Sequence, residues 1–178
     1  MRSITGTIIH CTATRAGWWE NKTTAEKVAE IKRWHTNKGW SDIGYHFLID
    51  RNGTLAAGRP IERDGAHVRG HNRGTIGVSL FGGHGSNETD DFAENFTAAQ
   101  DAALRKFLAD MQARFGTMPV TGHNEYAAKA CPGFNVAKWL RSAPETPAQA
   151  NPNSAWVNPA EATLNGVRAL IAAHDAKH

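Results

Sequence analysis

Within YHFLIDRNGTLAAG, residues 45 to 58, an Asn52-Gly53 pair separates two apolar segments. A tight two-residue reversal needs φ > 0 at both central positions, which Asn and Gly tolerate, so this stretch is expected to form a β-hairpin. A sheet must therefore be present. Three further runs supply strands for it. ITGTIIH (residues 4 to 10) is β-branched and bounded by turn-formers, and ends on His10. TIGVSLFGG (75 to 83) reads as a central strand, and MPVTGH (118 to 123) as a short one that delivers His123 at its end.

Helices alternate with these strands. Thr23-Thr24-Ala25-Glu26 has capping-box spacing, and Val28, Ile31 and His35 follow at helical intervals until Gly39. A second box, Thr97 to Gln100, precedes Leu104, Phe107, Leu108, Met111 and Phe115, one apolar face that ends at Gly116 and is expected to pack on the sheet. NVAKWL (135 to 140) reads as a brief closing helix. The polar stretch HGSNETDDFAEN reads as an exposed loop. Alternating strands and helices place the chain in the α/β class.

A chain of 178 residues with 40% hydrophobic content can bury one core but not two full ones. Residues 1 to 141 are read as that domain. SAPETPAQANPNSA then reads as a linker (142 to 157), and residues 158 to 178 as a helical tail whose Leu164, Val167, Leu170 and Ile171 form an apolar stripe. Such a stripe must dock, on the chain's own core or on a second chain. Twenty Lys and Arg against seventeen Asp and Glu leave a net charge of +3, scattered without a basic stripe, so a nucleic-acid partner is not expected. The apolar run in MRSITGTIIHCTAT is too short for a secretory signal or a membrane span, so synthesis in the cytoplasm without a signal peptide and no stable membrane insertion are expected.

The chemistry centres on TGHNEYAAKACPGF (121 to 134), where His123 and Cys131 stand eight positions apart. A catalytic zinc keeps three protein ligands and one open position, so a third ligand is needed, and His10 at a strand end is the best candidate. Alternation along that strand sends Cys11 to the opposite face, into the core. A thiol nucleophile at Cys131 paired with His123 is the alternative at this point. No H-E-x-x-H occurs, and the P-C-x-x-C of the zinc deaminases is absent.

IIHCTAT, IKRWHTNKGWSDIGYHFLIDRNGTLAAGRP, GAHVRGHNRGTIGVSLFGG, NFTAAQ and GHNEYAAKACPGF resemble, in order, the successive motifs of the type 2 N-acetylmuramoyl-L-alanine amidases. That family includes phage endolysins and the peptidoglycan recognition proteins. The resemblance covers roughly residues 4 to 141. It implies a mixed central β-sheet flanked by helices, with zinc in a surface cleft; the extra C-terminal helix of this chain departs from the family pattern. It also implies zinc ligands at His10, His123 and Cys131, catalytic side chains at Tyr45 and Lys129, and a substrate-lining segment that contributes His67 and Asn72.

The activity implied is zinc-dependent cleavage of the amide between N-acetylmuramic acid and L-alanine of peptidoglycan, in the manner of a phage endolysin released to the cell wall through a holin. The alternative is a recognition protein that binds peptidoglycan without cutting it; such relatives typically lack the ligand cysteine, which this chain has. The loop RAGWWENKT departs from the family pattern with two adjacent tryptophans, Trp18 and Trp19, whose faces would suit a sugar ring if exposed.

Overall fold

Strand β1 (Gly6–Cys11) is buried at all six positions, as a strand flanked on both edges must be. A computed structural model describes residues 2–144 and places β1 between two parallel neighbours, β4 (Thr75–Leu80) and β5 (Val120–Gly122). Beyond β4 lies β2 (Phe47–Ile49), also parallel, and β3 (Leu55–Ala57) closes the edge antiparallel to β2, giving the order β3-β2-β4-β1-β5. The sheet is mixed, and its one antiparallel pair is the hairpin around Asn52-Gly53, where the turn is longer than the two residues expected and only Gly53, at φ 85°, takes a positive φ.

Side-chain alternation divides this sheet into two unlike faces. Ile9, Cys11, Ile49, Ile76, Val78 and Leu80 pack with Leu104, Phe107, Leu108 and Met111 of helix α3 (Ala98–Phe115) into the main core. Each such aliphatic or aromatic side chain contributes about 1.5–3 kcal/mol when fully buried. On the other face, Leu48 and Phe81 meet Ile31 of helix α1 (Thr24–Asn37) and Ile43. That face also carries His10, whose register partner on β4 is Ser79. Helix α1 covers its β2 side, which leaves the β1 side open for chemistry.

Both capping boxes form. Thr23 accepts from Glu26 N and Glu26 accepts from Thr23 N; Thr97 and Gln100 do the same for α3. Gln100 has a second task. Fully buried, it donates through Nε2 to Ile49 O at 3.2 Å and Phe81 O at 2.8 Å, so the first turn of α3 is clasped to the ends of two strands. Helix α4 (Val136–Arg141), capped by Asn135, presses Trp139 into the main core.

Two expectations need correction. The stretch 84 to 95 contains a one-turn helix, α2 (Phe92–Asn95), whose Glu94 side chain accepts from Asp91 N. Phe92 anchors it by packing against Phe96, Phe134 and Trp139, so the polar composition around it concealed a core residue. Strand β1 also runs one residue past His10, to Cys11. The linker and the helical tail read from residues 145 onward lie outside the described residues. Among the described residues, no helix is long and apolar enough to cross a membrane.

Candidate functional site

His10 rises from the open face of the sheet near the end of β1. His123 arrives from β5, the other parallel neighbour, at the first residue of a 3-10 turn (His123–Glu125). Cys131 comes from the loop that follows. Asn124 N donates to Cys131 O at 2.8 Å, which ties the two segments together, and Cys11 N donates to Cys131 Sγ at 3.3 Å, which aims the sulfur at β1. The three donor atoms converge within 4.8 Å of one another, with His10 buried and the other two half-buried. Cys11 itself turns into the main core, as alternation requires.

The spacing of these atoms suits a zinc ion. Ligands on a tetrahedral zinc, with bonds of about 2.1 Å to nitrogen and 2.3 Å to sulfur, stand roughly 3.3 Å apart for two nitrogens and 3.6 Å for nitrogen and sulfur. Here His10 Nδ1 is 3.2 Å from His123 Nδ1 and 3.7 Å from Cys131 Sγ. Two imidazoles and a thiol also form a donor set that favours zinc over the hard cations.

Burial, reinforced by His67, His123 and Lys129, holds His10 well below the ordinary histidine range, and burial with Lys129 lowers His123. Both rings are therefore neutral, the form that ligates. Cys11 beside it, together with burial, pushes the Cys131 thiol up; a dication among these donors would act in the opposite sense.

The remaining residues singled out from the sequence fall around this cluster. The Tyr45 ring lies 5.2 Å from that of His10, and its hydroxyl is held above the usual range first by burial and then by the two cysteines. Lys129 is exposed, yet its charge acts on both His10 and His123, so it stands at the mouth of the cluster. His67 is buried behind His10, with Nδ1 3.1 Å from His10 Nε2. Asn72 Oδ1 accepts from His67 N and Val68 N.

Trp18 stacks on Phe81 and joins the α1-side core, while Trp19 lies flat on Trp18 at 4.9 Å and is 37% exposed. Spacing alone did not disclose the His67 to His10 contact. Gly77, lone within a buried strand, was its signal, because a glycine there marks the close approach of another group.

The fold and the cluster define a class: a mixed α/β domain with a candidate three-donor metal site on the open face of its sheet. Comparison gives the family. Residues 1–134 match the family described as N-acetylmuramoyl-L-alanine amidase. The chain is 40% identical over 131 residues to the endolysins of Klebsiella phage KP32 and Escherichia phage T7, covering 74% of this chain and 82% of each endolysin.

Among solved structures, an endolysin N-acetylmuramoyl-L-alanine amidase from Clostridium intestinale aligns with a TM-score of 0.62 at 24% identity, over 78% of this chain and 82% of that one. A bumblebee peptidoglycan recognition protein aligns at 0.64 and 24%, over 84% and 87%. The chain belongs to the N-acetylmuramoyl-L-alanine amidase family.

Proposed function

We propose that this chain is a zinc-dependent N-acetylmuramoyl-L-alanine amidase of the phage endolysin kind, which hydrolyses the amide between N-acetylmuramic acid and the L-alanine of the stem peptide. One observation carries the reading: His10, His123 and Cys131 meet at zinc-ligand spacing in a chain 40% identical to phage endolysins. His10 Nδ1, His123 Nδ1 and Cys131 Sγ would hold the ion. Zinc bound there supplies a Lewis acid for the scissile carbonyl and lowers the pKa of water at its open position.

The chain's own groups do the rest. Tyr45 carries a phenol that burial holds above its ordinary range, which keeps it a hydrogen-bond donor at neutral pH, and its ring stands beside that of His10. Lys129 adds a cation at the mouth, suited to the charge that develops on the carbonyl oxygen as the amide breaks. On the α1 side Trp40 stacks on His35, which in turn packs edge-on against Tyr45. The substrate is peptidoglycan, reached at the cell wall after the chain leaves the cytoplasm, by a holin if it is a phage product.

Mass spectrometry of purified sacculi digested with the protein tests this reading. Release of stem peptides with a free L-alanine amino terminus is expected, with the glycan left intact. Cut glycan bonds, or binding to sacculi with no peptide release, would overturn it; the second result would leave a recognition protein.

A further inference from the structure

The hydrogen bond between His67 and His10 sets a direction for every proton around it. His10 Nδ1 faces His123 Nδ1 and Cys131 Sγ, so as a ligand atom it must be bare, and the single proton of the neutral ring sits on Nε2. His10 Nε2 lies 3.1 Å from His67 Nδ1. That nitrogen of His67 must then be an acceptor, which places the His67 proton on its own Nε2, facing Thr75 Oγ1 at 3.5 Å. Thr75 in turn donates to His71 O at 2.5 Å and keeps its lone pairs for His67. With His10 Nδ1 bare as a ligand atom, each donor in the series has an acceptor.

The surroundings hold the His67 ring in that pose. Asn72 Oδ1 accepts from His67 N at 2.8 Å and Val68 N at 2.9 Å, which fixes the loop at both residues. The ring lies flush on two glycines. A Cβ at Gly77 would stand 2.6 Å from its Cδ2 and Cγ, and one at Gly65 2.4 Å from its Cδ2, so both positions are kept clear for the imidazole. His46 packs edge-on against it, with centroids 5.7 Å apart. With His10 against its Nδ1 edge and Gly77 of β4 beneath, His67 is left only 7% exposed.

We propose that His67 is a positioning residue: it accepts the Nε2 proton of His10, and so fixes the tautomer and aim of that ring toward the metal instead of contacting substrate. Asn72 acts one step further out, as the fastener of the His67 loop. The proposal rests on the reading of His10 as a zinc ligand. Groups that orient ligating imidazoles in this way are worth about 10–100-fold in metal affinity.

Zinc dissociation constants of the full chain, measured by competition with a chromophoric chelator, test it. His67→Leu fills the space without an acceptor and should weaken zinc binding about 10–100-fold. His67→Asn puts Oδ1 close to the place of Nδ1 and should stay within a few fold of the unsubstituted chain. At saturating zinc, KM for a soluble muropeptide should be unchanged in both.

Unaltered zinc affinity in His67→Leu, or a raised KM with unaltered zinc affinity, overturns the proposal. If His67→Leu does not fold, Thr75→Val carries the test: it removes the acceptor for His67 Nε2 together with the bond that Thr75 gives His71 O, a smaller loss of zinc affinity is expected, and no loss overturns the proposal. An unsubstituted chain that binds no zinc would overturn this proposal and the assigned activity together, whereas zinc binding indifferent to His67 overturns this proposal alone.

Discussion

Lys27 Nζ lies 2.9 and 3.0 Å from the two carboxylate oxygens of Asp50, with the side chains only 10% and 3% exposed. This pair bolts α1 to the end of β2, and Thr24 Oγ1 and Arg51 N complete the carboxylate's bonds. Removing one partner strands the other charge in the interior. Asp50→Ala is expected to cost about 3–5 kcal/mol in urea unfolding, and Lys27→Met combined with Asp50→Leu to recover much of that. A loss below about 1 kcal/mol for Asp50→Ala would mean that the charges are solvated after all.

Elemental analysis of the purified protein should find one zinc per chain, and Cys131→Ser should lose it. Cys11→Ala should keep both zinc and activity, because alanine retains the backbone N–H that Cys11 gives Cys131 Sγ and removes the neighbouring thiol that pushes the Cys131 thiol up. A metal-free Cys11→Ala protein that is still folded would show that the ligand set is misassigned.

Lys129→Ala and Tyr45→Phe should each lower kcat at least tenfold while zinc content and binding to sacculi persist, since both groups are assigned to the transition state. Unchanged turnover in both variants would remove them from the mechanism.

His35 and His46 should make the fold acid-sensitive. Burial, then Lys38 and Arg59, lowers His35 to about 4; burial, then Arg2 and Arg59, lowers His46 to about 4 against the opposing pull of Arg63 O and Asp64. Each ring accepts a backbone N–H at Nδ1, from Gly44 and from Gly77, and protonation there breaks the bond. In the unfolded chain both titrate near 6.5, so between roughly pH 6.5 and 4 the unfolded state binds more protons. Their contribution is complete above about 6.5 and fades as the pH falls toward 4. Melting temperature against pH should show this decline, and His46→Asn, which keeps an acceptor for Gly77, should make it shallower.

Truncation after Arg141 should leave zinc content and sacculus cleavage largely intact, because every residue assigned to the site precedes residue 132. A folded, zinc-loaded but inactive fragment would assign a substrate-binding part to residues 142 to 178.

Local signals made most of the scaffold readable. Thr23 with Glu26 and Thr97 with Gln100 announce helix starts by hydrogen bonds within four residues, and Asn52-Gly53 announces a turn in the same way. Phe92 escaped because its anchors, Phe134 and Trp139, are some forty residues away and its neighbours are acidic. The donor trio could be suspected from residue type, but only the parallel pairing of β1 with β5 brings His10 to His123. His67 remained hidden because its role depends on which ring nitrogen faces which neighbour, a matter of orientation that a string of letters does not carry.

The strand order has a consequence for synthesis. β1 precedes the other described strands and sits between β4 and β5, so its partners are translated about 70 and 110 residues later. Until then its edges stay unpaired, and His10 waits beside an absent sulfur. Cys131 follows His10 by 121 residues. A chain stopped short of Cys131 therefore carries His10 without its sulfur partner, and the candidate donor trio is complete only when the segments on either side of β1 have both been joined to it.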